Sequence, residues 1–191
     1  MIAAIQGPND RLAAVHQTWI DLSSKSGKAE IVDPTSGEVF PAKMVRGSKK
    51  GGAIRLGGDR SEGVLVMGEG IETTLSARVL SPRGPAEYWA GVDLENFAGQ
   101  MVRRPGVKHS GEPDLSDARA FVPPAWVRHL VLLQDGDSAP SMTRAKLKSC
   151  ILRAQSVIPG LSAEIIHPGE GKDFNDLLRE KLGHTGPERM T

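Results

Sequence analysis

The first part of the chain has the apolar pattern of short β-strands. Residues 2–6 and 12–20 are runs of β-type residues, and a turn-forming cluster, Gly7-Pro8-Asn9-Asp10, separates them. This arrangement predicts a β-hairpin. Residues 53–56 alternate apolar and polar side chains before two glycines, which predicts another strand. We therefore expect residues 1–61 to form a small β-rich N-terminal lobe.

From residue 64 onward the pattern changes to apolar strands that alternate with helical stretches. The predicted strands cover residues 64–67, 88–90, 130–133 and 163–166. The predicted helices cover residues 72–80, 94–100, 141–157 and 174–181. Such alternation is typical of an α/β fold with a parallel sheet of about four strands, flanked by helices on both faces. We expect this core to span residues 62–182 and residues 183–191 to form a disordered tail.

The longest predicted helix has ordinary amphipathic patterning. Its apolar side chains Leu147, Ile151 and Ala154 share one face, which we expect to pack on the sheet. The basic side chains of that helix are expected to point away from this face: Lys146, Lys148 and Arg153.

Composition limits the classes of function. The chain has 191 residues, with 24 basic and 23 acidic side chains, so a nucleic-acid-binding surface must be local rather than global. The single cysteine, Cys150, excludes an internal disulfide and a cysteine-rich zinc site. We expect it to be a buried thiol. No apolar run approaches the roughly 18 residues of a membrane span, so we expect a cytoplasmic protein with no membrane partner.

Acidic residues follow three of the predicted strands. Because ligands of open parallel sheets bind beyond the carboxyl ends of the strands, these acids are the first candidates for chemistry. Crowded carboxylates repel one another unless a cation lies between them, and sets of hard oxygen ligands favour Mg²⁺ or Mn²⁺. The alternative is that each acid caps a helix or lies in a solvated loop. The candidate metal ligands are Glu69, Asp135, Asp137, Asp173 and Asp176.

Three short segments resemble the motifs of the Toprim domain. They are Gly-Glu-Gly-Ile-Glu-Thr at 68–73, Asp-Gly-Asp at 135–137 and Gly-Lys-Asp-Phe-Asn-Asp at 171–176. The resemblance is closest to the Toprim catalytic domains of bacterial, phage and plasmid primases of the primase-helicase kind. It implies a Rossmann-like Toprim fold and a DNA primase activity, in which nucleoside triphosphates are joined into short primers on single-stranded DNA during replication.

By this resemblance, Glu69 is the general acid or base of nucleotidyl transfer, and Asp135 and Asp137 hold the metal. Asp173 and Asp176 would support the metal. The chain has no counterpart of the primase zinc module and no phosphate-binding loop of a helicase motor. We expect a helicase or zinc-binding module as a partner, either in sequence outside this chain or on another protein.

Basic residues are concentrated in a glycine-rich segment that precedes the core and resembles the basic segment of the same primases. Side chains and backbone amides of such a segment can hold phosphates of a template strand. A solvated, flexible loop is the alternative. The candidate nucleic-acid-binding or nucleotide-binding residues are Lys43, Arg46, Lys49, Lys50, Arg55 and Lys172.

Three functions are compatible with these residues. The first is the primase-like nucleotidyltransferase. The second is a Toprim nuclease, since the same acids can direct water rather than a 3′-hydroxyl to phosphate. The third is a nucleic-acid or replication-partner binding module without turnover. A topoisomerase that bonds covalently to DNA is disfavoured, because the only tyrosine, Tyr88, falls within a predicted strand.

Overall fold

The computed structural model describes residues 1–24, 27–80, 84–135 and 140–183. Within these residues, the N-terminal lobe contains a three-stranded antiparallel sheet of order β1-β2-β5 and a separate pair, β3-β4. The predicted hairpin is confirmed, because β1 and β2 pair antiparallel. The strands of the lobe are β1 (Ile2–Gln6), β2 (Leu12–Thr18), β3 (Ile31–Val32), β4 (Val39–Phe40) and β5 (Lys43–Gly47).

The core is a mixed α/β unit built on a five-stranded sheet of order β10-β9-β7-β8-β6 among the described residues. Neighbours from β10 to β8 are parallel, as predicted, whereas β6 runs antiparallel to β8 at the edge. The strands of this sheet are β6 (Ile54–Gly58), β7 (Val64–Gly68), β8 (Glu87–Ala90), β9 (His129–Leu133) and β10 (Ser162–Ile166).

Strand β6 links the lobe to the core. We expected this strand within the lobe, yet it pairs with β8 of the main sheet. Directly before it, Ala53 exchanges two backbone hydrogen bonds with Gln6 at the end of β1, with N–O distances of 2.9 and 3.0 Å. The lobe therefore lies against the edge of the core sheet.

Four helices are described, two on each face of the sheet: α1 (Ile71–Leu80), α2 (Leu94–Ala98), α3 (Pro140–Val157) and α4 (Phe174–Lys181). Helices α1 and α4 pack on the face that carries Val66 and Val131. Helices α2 and α3 pack on the opposite face, which carries Met67 and Leu132. No described helix combines the length and the apolar character of a membrane span.

Helix α3 packs on the sheet through the predicted apolar face. Cys150 lies among these side chains, and burial raises the pKa of its thiol to about 12. The outward position expected for Lys146 and Arg153 is wrong, because they are only 8% and 3% exposed. The Arg153 guanidinium donates hydrogen bonds to the carbonyl oxygens of Ala98, Gln100 and Asp114 at 2.8–3.4 Å. These bonds offset part of the cost of burying its charge, although its Nε atom has no partner among the described residues.

The order of the strands defines a crevice. The chain passes from β7 to β8 on one side and then crosses to β9 on the other side of β7. The direction of winding therefore reverses between β7 and β9, and such a reversal opens a crevice at the carboxyl ends of the two strands. The tail expected at residues 183–191 lies outside the described residues except for Gly183.

Candidate metal and nucleotide site

Glu69 and Asp135 follow the two strands that border the crevice. Strands β7 and β9 are parallel neighbours in which Val66 pairs with Val131 and Met67 with Leu132. Glu69 comes directly after the last residue of β7, and Asp135 lies two residues beyond the end of β9. Both side chains are half-buried. The two acids therefore lie at the same edge of the sheet, on either side of the reversal.

Asp135 is held by the first turn of α1. The Thr73 hydroxyl donates a hydrogen bond to Oδ2 of Asp135 at 3.1 Å. Gly70 separates Glu69 from this helix, and its carbonyl oxygen accepts from the Thr74 hydroxyl at 2.7 Å. The amino-terminal end of a helix carries a partial positive charge, which favours a carboxylate at this position. Helix α1 thus connects the end of β7 to the acid that follows β9.

Asp173 and Asp176 form the amino-terminal cap of α4. Oδ1 of Asp173 accepts from the backbone N–H of Asp176 at 2.7 Å, and Oδ2 of Asp176 accepts from the N–H of Asp173 at 3.2 Å. Helix α4 packs on α1, where the Ser76 hydroxyl donates to Oδ1 of Asn175. Ser76 lies one helical turn beyond Thr73, so the cap of α4 and Asp135 approach the same side of α1. Both acids therefore cap α4, as the capping alternative expects, and their support of a metal ion stays a prediction.

Few potential metal ligands among the described residues meet at this edge of the sheet. Among residues 1–24, 27–80, 84–135 and 140–183, no group of three or more acidic, histidine or cysteine side chains is arranged to hold a metal ion. Asp137, the fifth candidate ligand, lies outside the described residues. Mg²⁺ is usually held by one or two carboxylates and completes its shell with water and substrate phosphate. Glu69 and Asp135 could supply such a pair.

The candidate basic residues do not form one cluster. Lys43 pairs with Glu72 of α1 at 3.6 Å, and Nε of Arg46 donates to Gln17 at 3.2 Å. The guanidinium of Arg55 lies 4.6 Å from the centre of the Trp89 ring. Arg55 also forms an ion pair with Asp10, in which its guanidinium donates a hydrogen bond to the carboxylate. This hydrogen bond is the main cause of the lowered pKa of the Asp10 carboxyl.

Lys172 is engaged within its own segment. Its ammonium group donates to both carboxylate oxygens of Glu180 in α4, at 2.7 and 3.0 Å. Both side chains are about half exposed, at 45% and 52%, so the pair lies at the surface. Exposed pairs of this kind contribute little to stability and exchange partners easily. A role for Lys172 in binding phosphate requires that it leave Glu180.

The basic loop, residues 48–53 between β5 and β6, is anchored on α2. This anchoring argues against the flexible-loop alternative for this part of the basic, glycine-rich segment. The buried side chain of Asn96 accepts from the N–H of Gly51 at 3.0 Å and donates to the carbonyl oxygens of Gly52 and Gly91, both at 2.8 Å. Lys49 pairs with Asp93, the N-cap of α2. Sequence reasoning did not identify Asn96, because no local pattern links it to a loop 45 positions away.

The lobe also touches the start of α1. A small cavity of about 40 Å³ between them is lined by His16 and Lys43 of the lobe and by Gly70 and Glu72 of the core, among others. Burial, with a contribution from the nearby Lys43 charge, lowers the pKa of His16. The lobe strands β2 and β5 therefore lie beside the residues that directly follow Glu69.

Comparison of the chain with protein-family models finds no match, and comparisons with curated proteins and with solved structures find none either.

Proposed function

We propose that this protein is a metal-dependent nucleotidyltransferase of the Toprim type, which joins nucleotides into short primers on single-stranded DNA. One observation carries the proposal. Two acids of the motifs that resemble Toprim, Glu69 and Asp135, follow neighbouring parallel strands on either side of the reversal in strand order. This is the position at which open α/β sheets bind their ligands.

The proposed roles follow from the chemistry of the side chains. Asp135, with Asp137, holds Mg²⁺ or Mn²⁺, and Asp173 and Asp176 support the site from the cap of α4. When bound there, a divalent cation would supply positive charge that offsets the negative charge of the reacting phosphoryl group. The 3′-oxygen bonds to the α-phosphorus of the incoming nucleoside triphosphate, and pyrophosphate leaves. Glu69 serves as the general acid or base of this step, taking the hydroxyl proton or giving one to the pyrophosphate.

The lobe is proposed to guide the template. Lys43 and Arg46 lie on β5, and Lys43 reaches Glu72 in the first turn of α1. Lys49 reaches Asp93, which lies beyond the carboxyl end of β8. Lys43 and Lys49 thus reach the same edge of the sheet as Glu69 and Asp135. A template strand that passes over this edge would have its phosphates on the lobe, while its bases pair with nucleotides whose phosphates meet the acids.

The test is primer synthesis by the purified chain. Labelled single-stranded DNA is incubated with Mn²⁺ or Mg²⁺ and nucleoside triphosphates, and product lengths are read on a sequencing gel. Glu69→Gln and Asp135→Asn are compared with Glu38→Gln, which removes the same charge from an exposed acid of the lobe. Nucleotide-dependent products that persist in Glu38→Gln and disappear in the other two variants would support the proposal.

Two other results would reassign the site. Metal-dependent shortening of the DNA that needs no nucleotides would make the protein a nuclease. DNA binding that survives Glu69→Gln, with no product of any length, would make it a binding module without turnover.

A further inference from the structure

A second cavity, bordered by α2 and α3, is lined by residues other than the strand-end acids. Its volume is about 320 Å³, within the range of roughly 300–1,000 Å³ that is typical of small-molecule sites. The basic loop after β5, helix α2, the segment that follows α2 and helix α3 enclose it. Neither Glu69 nor Asp135 is among its lining residues.

The carboxylates of this cavity already have partners. Asp93 pairs with Lys49 and caps α2, and Glu95 pairs with Lys146 at 3.2 Å. Asp117 accepts from the backbone N–H groups of Gln100 and Arg119 at 2.9 and 3.3 Å. The negative charges of the lining are therefore neutralised or hydrogen-bonded without a ligand.

The lining of the cavity has more basic than acidic side chains. The lining includes four lysine and arginine side chains and three carboxylates, and in the described part of the chain Lys50 and Arg119 form no ion pair. The Lys146 side chain is only 10% exposed, whereas its partner Glu95 is 84% exposed, so an anion in the cavity would compete with a solvated carboxylate for a desolvated ammonium group. A desolvated ammonium group interacts more strongly with an incoming anion than an exposed one does.

His109 adds an unused polar group. This residue lines the cavity, and its Nε2 atom is shielded from solvent and makes no hydrogen bond within the described residues. Buried polar atoms in folded proteins nearly always have a partner, so one without a partner in a cavity calls for a ligand or water. The loop that supplies Lys49 and Lys50 is already held by Asn96, so little ordering is needed for an anion to bind.

We propose that this cavity binds the phosphate chain of a small polyphosphorylated molecule, with Lys50, Arg119, Lys146 and His109 as its ligands. Multiply charged phosphate oxygens match a lining of ammonium, guanidinium and imidazole groups. The site does not depend on the strand-end acids or on a metal held by them. Binding at this cavity can therefore be tested separately from the proposed nucleotidyl transfer.

The test is equilibrium binding measured by calorimetry in excess EDTA, with inorganic tripolyphosphate and ATP as probes. We expect saturable binding of one molecule per chain. The double variant Lys50→Ala/Arg119→Ala should weaken it by about a hundredfold or more, since each hydrogen bond to a charged group accounts for roughly tenfold. The matched control is Arg103→Ala/Lys108→Ala, which removes two exposed cations of the segment that follows α2. Neither lines the cavity, so this variant should change the affinity less than about twofold.

A third probe identifies the source of the phosphate. Displacement of bound tripolyphosphate by ATP, but not by an oligonucleotide with a 5′-phosphate, would support the inference. Displacement by the 5′-phosphorylated oligonucleotide at the same concentration as ATP would assign the cavity to a strand end and overturn it. Absence of saturable binding, equal weakening by the control pair, or equal competition by an unphosphorylated oligonucleotide would overturn the inference. Thermal unfolding of both double variants checks that the fold is retained.

Discussion

The Thr73 hydroxyl donates a hydrogen bond to Oδ2 of Asp135 at 3.1 Å, across the reversal in strand order. Thr73 belongs to the helix that follows Glu69, whereas Asp135 follows the neighbouring strand β9. The bond therefore fixes one candidate metal ligand relative to the other. If the proposed function is correct, Thr73 positions Asp135 without touching the reacting groups.

This relationship predicts the effect of two substitutions at Thr73. Thr73→Val removes the hydroxyl at nearly constant volume, so we expect the metal concentration needed for half-maximal nucleotide incorporation to rise roughly tenfold to a hundredfold. Thr73→Ser keeps the hydroxyl donor, so its half-maximal metal concentration should remain close to that of the wild type. Titration of Mn²⁺ in the primer assay measures both. A loss in Thr73→Ser with wild-type behaviour in Thr73→Val would mean that the methyl group, not the hydrogen bond, is what matters.

The anchor of the basic loop is predicted to be important for stability. Asn96 is 7% exposed and makes three hydrogen bonds to backbone groups, so Asn96→Ala leaves buried polar groups without partners. We expect the free energy of unfolding to fall by about 2–4 kcal/mol, measured by urea denaturation. Hydrogen exchange of the Gly51 amide should accelerate as well.

The control for this change is Glu38→Gln, at an exposed position of the N-terminal lobe. It should alter stability by less than about 0.5 kcal/mol. Slow exchange of the Gly51 amide in Asn96→Ala would show that the loop is held by other contacts.

Much of the fold was predictable because local patterns determine local structure. Helix α4 begins at Phe174, as predicted, since Asp173 is a favourable N-cap directly before it. The partner of β6 was not predictable, because an alternating strand such as residues 53–56 fits the edge of either sheet. Arg153 was misplaced because its three carbonyl acceptors come from residues 98–114, which helical periodicity does not describe.

The candidate site, like the fold, could be predicted from the sequence only in part. The positions of Glu69 and Asp135 after strands follow from the apolar runs that precede them. The sequence alone could not decide between capping and metal binding for Asp173 and Asp176, because a carboxylate suits both roles. The contacts of Thr73 and Asn96 join segments that are distant in the chain, so only the packing of the fold reveals them.

Gly58 is predicted to tolerate no side chain. Its φ is 146°, and a Cβ atom at this position would lie 2.1 Å from the carbonyl oxygen of Ala86 in the pairing of β6 with β8. We expect Gly58→Ala to lower the free energy of unfolding by about 3 kcal/mol or more. Gly57→Ala is the control, since its φ of 78° is also strained but its nearest contact is 3.8 Å away. A loss of about 1 kcal/mol is expected there; equal losses would contradict the steric account.

The lowered pKa of His16 predicts a dependence of stability on pH. The folded state binds a proton at His16 less readily than the unfolded chain, where the pKa is about 6.5. Stability that is fully present above this pH should therefore decrease as the pH falls below it. His16→Gln should flatten the decrease between about pH 7.5 and 5.5 in urea denaturation, whereas His167→Gln, at an exposed position, should not. Parallel curves for wild type and His16→Gln would contradict the prediction.

The central claim is that carboxylates at the ends of β7 and β9 direct metal-dependent nucleotide transfer. The most direct measurement is the incorporation of labelled nucleotide on single-stranded DNA as a function of Mn²⁺ concentration, in the wild-type chain and in Asp135→Asn. We predict incorporation that requires both metal and template in the wild type and falls at least about a hundredfold in Asp135→Asn, as expected when a metal ligand of a phosphoryl-transfer site is lost. Incorporation of equal rate in both proteins, or incorporation without any divalent cation, would contradict the account.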